Sequence, residues 1–350
     1  MTVLEAAQLA GIYIPTLCSD PDLEPYGACR LCVVEIEEMR GLPPACTTPA
    51  TDGMVVHTNT SAVNELRRTT VELLLAGHTS HCPVCDRRKQ CQPSDICLRN
   101  VAVAERCVSC PKNGQCDLQK IVDYLGITEL PFRKTTRSFP IDTSNPFFDH
   151  DPNKCILCGK CVRVCNELVG VGAIALTYRG YASKVATFGD KPIIDSNCVS
   201  CGECVVHCPV AALMPKKAEL PTEEVETICP YCGVGCGIYL GIHNGQVVSV
   251  RGRRDGTVNN GSLCVKGRYG FEFIHHQDRL KTPLIKRDGD FTEATWDETL
   301  DLVASKLAKY NKDQVAVISS AKCTNEDNYV AQKFARVVLG TNNVDHCARL

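Results

Sequence analysis

Apolar residues along this chain fall into short stretches of helical or strand period, separated by polar loops. Residues 2–10 read as a short amphipathic helix. Residues 62–76 place Val63, Leu66, Val71, Leu74 and Leu75 on one side of a second helix, and 119–125 form a third. Further on, 295–310 keep the helical period through Trp296, Leu300, Leu302, Val303 and Leu307, and 326–339 read as another helix. Residues 33–37 alternate like a strand, and 315–318 read as a buried one. A polar, Pro-containing linker is expected at 135–146 and a charged linker at 215–227. The closing helix–strand–helix order predicts the start of an α/β domain with a parallel sheet, although it offers one clear strand. The longest apolar runs, such as 168–176, are too short to span a bilayer. The start at Met1 has no basic stretch and reads as a helix, not a signal peptide.

Composition changes this picture in one respect. The 350 residues suffice for two or three ordinary domains. A net charge of −2 and a pI near 6.5 give no footprint for nucleic acid. The outlier is cysteine, with 25 residues. Disulfides are the first explanation for so many thiols. The recurring C-x2-C spacing argues instead for metal clusters in a reducing cytoplasm.

The cysteines fall into groups. Cys229, Cys232 and Cys236 are followed, twenty-seven residues on, by Cys264 and then Val265, Lys266, Gly267 and Arg268. Four thiolates at this spacing can hold one [4Fe–4S] cube. Zinc also takes four cysteines, but the rest of the chain repeatedly offers iron–sulfur spacings. Gly233, Gly235 and Gly237 let the backbone curl around such a cluster. Near the start, Cys18, Cys29, Cys32 and Cys46 are spaced C-x10-C-x2-C-x13-C, with the turn residues Pro25, Tyr26 and Gly27 before Cys29.

Next, His78, Cys82, Cys85 and Cys91 form H-x3-C-x2-C-x5-C, with His81 a bystander at the wrong offset. Cys107, Cys110 and Cys116 repeat C-x2-C-x5-C, but Val103 stands where the second histidine belongs and Cys97 is a spare thiol. Three readings stay open: two cubes, one cube drawing ligands from both copies, or one vestigial copy. Finally, Cys155, Cys158, Cys161 and Cys165 are followed by Cys198, Cys201, Cys204 and Cys208 in the C-x2-C-x2-C-x3-C pattern, in which each fourth cysteine ligates the other cube. Cys208 then completes the first cube and Cys165 the second. Pro209 follows the second copy, whereas Asn166 takes that place in the first.

These patterns resemble a known family. The Cys229–Cys264 run with Val265-Lys266-Gly267-Arg268 resembles the first domain of the molybdenum or tungsten bis-pterin oxidoreductases, formate dehydrogenase alpha subunits in particular. The opening group resembles the [2Fe–2S] domain of complex I large subunits, [FeFe] hydrogenases and multi-cluster formate dehydrogenases. The next resembles their His(Cys)3 [4Fe–4S] site. The resemblance implies an α+β multi-domain iron–sulfur protein. Its parts are a β-grasp [2Fe–2S] domain at 1–58 whose first hairpin is missing, which points to a start set too late, and a helical His(Cys)3 domain at 59–134. A two-cluster ferredoxin fold at 146–217, a small cube-binding domain at 222–278 and the start of an α/β domain at 279–350 follow. The cofactors implied are one [2Fe–2S], four or five [4Fe–4S] and a Mo/W bis-molybdopterin guanine dinucleotide in the full-length protein.

The same resemblance places Lys266 between cube and pterin and Asn325 in a pterin-contacting loop. Cys323 beside it is a small packed residue. The implied reaction is formate to carbon dioxide, with electrons leaving through the [2Fe–2S] domain to a flavin-containing NAD(P)H-oxidising subunit or a ferredoxin. Asn342 to Arg349 resemble the segment directly before the metal-binding cysteine or selenocysteine. The catalytic residue is therefore expected just after Leu350, and this chain alone is expected to be inactive on formate. Other readings are a stand-alone electron-transfer protein, a complex I large-subunit relative, or a bis-pterin enzyme with another substrate.

Overall fold

The computed structural model describes residues 1–79, 82–97, 100–135, 137–217, 219–256 and 258–347. The chain divides into two units, Met1–Ala218 and Glu219–Leu350. His81 lies outside the described residues.

The first unit opens with α1 (Val3–Leu9). The Thr2 hydroxyl accepts the Glu5 N–H (3.2 Å) while the Glu5 carboxylate accepts the Thr2 N–H (2.6 Å), a reciprocal cap. Its inner residues Val3, Leu4 and Ala7 pack with Ile14, Val34, Ile36, Ala45, Cys32 and Cys46. Strands β1 (Glu35–Ile36) and β2 (Val56–His57) pair antiparallel. The alternation over 33–37 thus yields only two ladder residues. Val33 meets Pro44 in an isolated bridge and Val34 N–H reaches Pro43 O, and a segment with two prolines cannot donate a ladder.

Helix α2 (Ser61–Gly77) is capped by the Thr60 hydroxyl, which accepts the Val63 N–H at 3.3 Å. It buries Val63, Arg67, Val71, Glu72, Leu75 and Ala76. Leu66, expected on that side, is 38 % exposed, and Arg67 takes the inner position. Helix α3 (Asp117–Leu125) ends at Gly126 in the left-handed conformation. The two helices feed Val71, Leu75, Leu118, Ile121 and Val122 into a core that continues to Phe148, Ile174, Val185, Ile193 and Leu213. That continuation holds β3 (Phe148–His150), α4 (Lys160–Arg163), β4 (Ala175–Thr177), β5 (Lys184–Ala186), α5 (Glu203–Val206) and β6 (Leu213–Pro215). β3 pairs with β6 and β4 with β5, both antiparallel.

The second unit begins with an antiparallel meander of β7 (Glu223–Ile228), β8 (Gly237–His243) and β9 (Gln246–Gly252). Residues 223–227 of the expected linker at 215–227 are therefore strand. Its glutamates sit on a solvent-facing edge, which a sheet tolerates. After α6 (Val265–Tyr269) come the hairpin β10 (Leu284–Arg287) and β11 (Asp290–Glu293), then α7 (Trp296–Leu307), β12 (Val317–Ser319), α8 (Asn325–Lys333) and β13 (Val344–His346). β12 and β13 pair parallel, Val317 opposite Val344, so the α/β portion has a second strand that periodicity missed. The strand expected to be buried is not: Ile318 is 81 % exposed, because two parallel strands cannot cover both their faces. The apolar stripe of α7 is likewise exposed at Trp296 and Leu300. Among the described residues no helix is long and apolar enough to cross a membrane.

Candidate metal centres

The first quartet is assembled by the loop between α1 and β1 and by the segment after it. Cys18, Cys32 and Cys46 are buried and Cys29 half-buried. The Cys29 N–H donates to Cys18 Sγ (3.3 Å) and the Leu17 N–H to Cys29 Sγ (3.5 Å). The Cys18 and Cys29 thiols form one hydrogen-bonded pair and Cys32 and Cys46 another. The Cys18 hydrogen bond, with backbone N–H groups, holds Cys29 down to about 5, while Cys18 is pushed up. Gly27, at φ +68°, donates its N–H to Cys46, and a Cβ there would meet Thr47 at 3.3 Å. Beneath the loop, the fully buried Arg67 donates to Leu31 O (3.0 Å) and Val33 O (2.8 Å), the carbonyls on either side of Cys32. Sequence patterning missed it, since an arginine inside an apolar face reads as a simple interruption.

The ferredoxin-like cysteines separate as their spacing anticipates. Cys155, Cys158 and Cys161 gather with Cys208, while Cys198, Cys201 and Cys204 gather with Cys165. Each quartet lines its own apolar cavity, and His150, Val185 and Leu213 line both. Burial pushes Cys155 up to about 11 and Cys158 to about 12. Backbone donors wait at sulfur: Leu157 N–H on Cys155 (3.3 Å), Ala173 N–H on Cys165 (3.3 Å) and Ser200 N–H on Cys198 (3.4 Å). A thiolate ligand satisfies such donors without a proton of its own.

The first loop seats on this part through buried charges. Asp20 accepts from His207 Nδ1 (2.9 Å) and lies 3.5 Å from the Lys160 ammonium, and Glu203 is 3.6 Å from His207 Nε2. Burial opposes every charge there. The hydrogen bonds win, so Asp20 is lowered to about 2 and His207 raised to about 9. Arg163 donates to the Glu24 carbonyl and lies 4.9 Å from the Tyr26 ring centroid.

Between these sites the two C-x2-C-x5-C runs do not stay apart. The short 3-10 turn Cys82–Val84 packs against α3, and the Cys82 thiol is hydrogen-bonded to that of Cys107. Cys110 lies close to both Cys107 and Cys116. Cys91 donates to Gln92 O (3.6 Å), and Cys97 accepts the Val101 N–H (3.4 Å). His78 caps α2, its N–H on Leu75 O (3.2 Å). Lys134 presents a buried ammonium with no hydrogen-bond partner among the described residues, near Glu105, Cys82 and Cys107.

In the second unit, Cys229, Cys232 and Cys236 lie in the β7–β8 connection, and Cys264 precedes α6. All four lie within mutual reach. Asn259 ties the two segments, accepting the Gly237 N–H (2.9 Å) and donating to Ser262 O (3.0 Å). Lys266 is exposed on α6. Asn325, at the first turn of α8, donates to Gly233 O at 2.7 Å, and a Cβ on Gly233 would lie 2.6 Å from its oxygen. Cys323 is half-buried in the preceding loop.

Convergent cysteines with N–H donors at sulfur, and an orphaned ammonium beside two of them, fit iron–sulfur clusters. Comparison with known proteins agrees. Residues 1–61 match the 2Fe-2S iron-sulfur cluster binding domain, 154–212 the 4Fe-4S dicluster domain, 222–276 the molybdopterin oxidoreductase Fe4S4 domain and 279–350 molybdopterin oxidoreductase. Iron–sulfur domain models and a molybdopterin oxidoreductase model thus match successive stretches of the chain. The chain is 38 % identical over 355 residues to an NADH-quinone oxidoreductase subunit of Rhizobium meliloti, covering 99 % of this chain and 38 % of the relative. It is 36 % identical to the alpha subunit of a Geobacter sulfurreducens NADPH-Fe(3+) oxidoreductase, covering 100 % of this chain and 38 % of the relative. A Bacillus subtilis protein, YrhE, whose name assigns it provisionally to the formate dehydrogenases, is 32 % identical, with 99 % and 38 % covered. A solved structure of an NAD+-reducing [NiFe]-hydrogenase aligns with a TM-score of 0.52 and 33 % identity, covering 63 % of this chain and 83 % of that one. The chain thus spans 38 % of the length of these curated relatives.

Proposed function

We propose that this chain is the iron–sulfur part of a formate dehydrogenase alpha subunit, carrying electrons between a molybdenum or tungsten bis-pterin centre and an NAD(P)-linked flavin subunit or a ferredoxin. One observation carries the reading. The quartet Cys229, Cys232, Cys236 and Cys264 is tied by the Asn325–Gly233 hydrogen bond of 2.7 Å to the loop after a parallel strand, the end of an α/β sheet where ligands bind. A cube-binding loop and a ligand-binding edge are held together by main chain and one amide. Bound clusters supply one-electron steps over a span of potentials.

The residues do the rest. Cys18, Cys29, Cys32 and Cys46 hold the [2Fe–2S] group, and the Asp20–His207 and Arg163–Glu24 contacts keep that loop against the ferredoxin-like part. Cys155, Cys158, Cys161 and Cys208 hold one cube, and Cys198, Cys201, Cys204 and Cys165 the next. Lys266, two residues after Cys264, and Asn325 face the pterin in this reading. Apolar walls around the cysteines keep water from the clusters.

A second reading has a specific support: the relatives named for NADH and NADPH oxidation are more similar (38 % and 36 %) than YrhE (32 %). In it the chain serves an NAD(P)H-oxidising complex that does not act on formate. Anaerobic absorbance of the full-length protein with its partners separates the two. Bleaching of the cluster bands by formate supports the first; bleaching by NADH or NADPH but never by formate sinks it in favour of the second.

A further inference from the structure

We propose that Cys82, Cys107, Cys110 and Cys116 hold one [4Fe–4S] cube, a cysteine from the first run completing the second in place of a histidine. The inference rests on the iron–sulfur reading of the chain, not on the identity of its substrate. The segment lies between the stretches matched as 1–61 and 154–212.

Four observations carry it. First, the turn holding Cys82 is locked to the helix that follows Cys116. Pro83 and Val84 are buried, and Arg88 donates to Pro83 O (2.6 Å) and to both oxygens of Asp123 on α3 (2.6 and 2.7 Å). With Nη1 on the Pro83 carbonyl and Nη2 on the Asp123 carboxylate, one guanidinium ties the Cys82 turn to α3. Second, the Cys82 thiol meets that of Cys107, and Cys107 and Cys116 are buried with Cys110 beside them.

Third, hydrogen-bond donors converge on the sulfurs. The Leu118 and Gln119 N–H groups point at Cys116, and the Gln119 side chain at Cys107. Gln119 is itself held, accepting the Gly114 N–H (3.2 Å) and donating to Asn113 (3.1 Å). Ligating thiolates are acceptors only, so these donors suit iron-bound sulfur. Cys91 instead faces the Gln92 carbonyl (3.6 Å). Fourth, the buried Lys134 ammonium has no hydrogen-bond partner among the described residues; the Glu105 carboxylate is the foremost negative group around it, followed by Cys82 and Cys107. A buried cation is stabilised by negative charge close to it. A cube with four thiolates is anionic and adds to the charge of Glu105 on the Cys82–Cys107 side.

The intervening loop explains how the two runs meet. Arg106, buried, donates to Val101 O (3.0 Å) and Asp95 O (2.7 Å), which ties the residue before Cys107 to both of these positions between the runs. In this assignment Cys85, Cys91 and Cys97 are not ligands of the cube. Exchanging an imidazole for a thiolate adds one negative charge, so this cube is harder to reduce than a histidine-ligated one.

The test uses the whole 350-residue chain, reconstituted anaerobically with iron and sulfide, and needs no substrate. Iron analysis, Mössbauer spectra and pulsed EPR for nitrogen bound to a reduced cube are read on the unaltered protein and on variants. Cys82→Ser is expected to lose one cube, about four iron atoms, while His78→Ala and the triple variant Cys85→Ser/Cys91→Ser/Cys97→Ser keep it. No directly coordinated nitrogen is expected in the unaltered protein. A nitrogen coupling, retention of the cube in Cys82→Ser, or its loss in either the His78 or the triple variant overturns the assignment. Should Cys82→Ser fail to fold and lose every cluster, the nitrogen spectrum of the unaltered protein and the triple variant decide between the same two outcomes.

Discussion

Arg67 lies on the inward face of α2, four residues after Val63 and four before Val71, and none of it is exposed. Its guanidinium donates to Leu31 O (3.0 Å), Thr58 O (2.9 Å) and Val33 O (2.8 Å). No periodicity argument could have found this, because arginine on a helix normally reaches for water. The three carbonyls decide otherwise, since each would be unpaired without it. Arg67→Ala is expected to cost about 3 kcal/mol through carbonyls left buried and unpaired. A urea titration followed at the [2Fe–2S] absorbance checks this, and an unchanged midpoint would show the cation to be dispensable. Lys134 invites a second substitution at this scale. Lys134→Met removes a positive charge next to Cys82 and Cys107, so the midpoint potential of that cube should fall while the others stay put. An EPR-monitored redox titration measures it; a shift in some other cluster would place the ammonium elsewhere.

Among the elements, the loop carrying Cys18 and Cys29 and the short helices α4 and α5 behave as one assembly. Asp20 is the counter-charge for both His207 and Lys160, and its side chain is only 8 % exposed. Asp20→Asn leaves Lys160 facing a neutral amide and His207 with Glu203 as its remaining counter-charge, a loss expected to be about 2 kcal/mol. Thermal unfolding should shift down, and magnetic coupling between the [2Fe–2S] group and its neighbour should weaken in EPR; unaltered coupling would mean that the loop is held by Arg163 alone. The crossed ligation gives another outcome at this scale. Cys155→Ser and Cys208→Ser should remove the same cube, and the double variant should lose no more iron than either single one. If the double variant loses twice the iron, Cys208 belongs elsewhere. The elements that periodicity misread share a cause. Residues 223–227 of the expected linker enter the edge strand β7, and 315–318 becomes an exposed strand, because both are decided by what lies beside them in a sheet.

For the whole molecule, apolar burial is uneven. The first unit has two apolar clusters with cysteines built into both, Cys116, Cys161 and Cys208 in the larger and Cys32 and Cys46 in the smaller. Removing iron should therefore unfold more than the sites. Chelation under reducing conditions is expected to abolish the near-UV circular dichroism of the first unit, and retention of that signal would show that the apolar core stands alone. The second unit leaves Trp296, Leu300, Ile318, Val337 and Val338 exposed on α7, β12 and the turn after α8. These faces stay open because a two-stranded parallel sheet is too small to cover the helices beside it.

Cysteine spacing determined in advance which thiols meet in the ferredoxin-like pair and in the Cys229–Cys264 quartet, because C-x2-C places two ligands on one turn and leaves few partners for the rest. Helices α1, α2, α3, α7 and α8 were legible for a similar reason, being local consequences of period and capping residues. What lay beyond the sequence was everything set by distant chain. Only the folded molecule brings Cys82 to Cys107 across an insertion, seats Asp20 on His207 187 residues away, and turns Arg67 inward to three carbonyls. Those pairings depend on burial and on which polar group lacks a partner, and neither quantity exists until the core has closed.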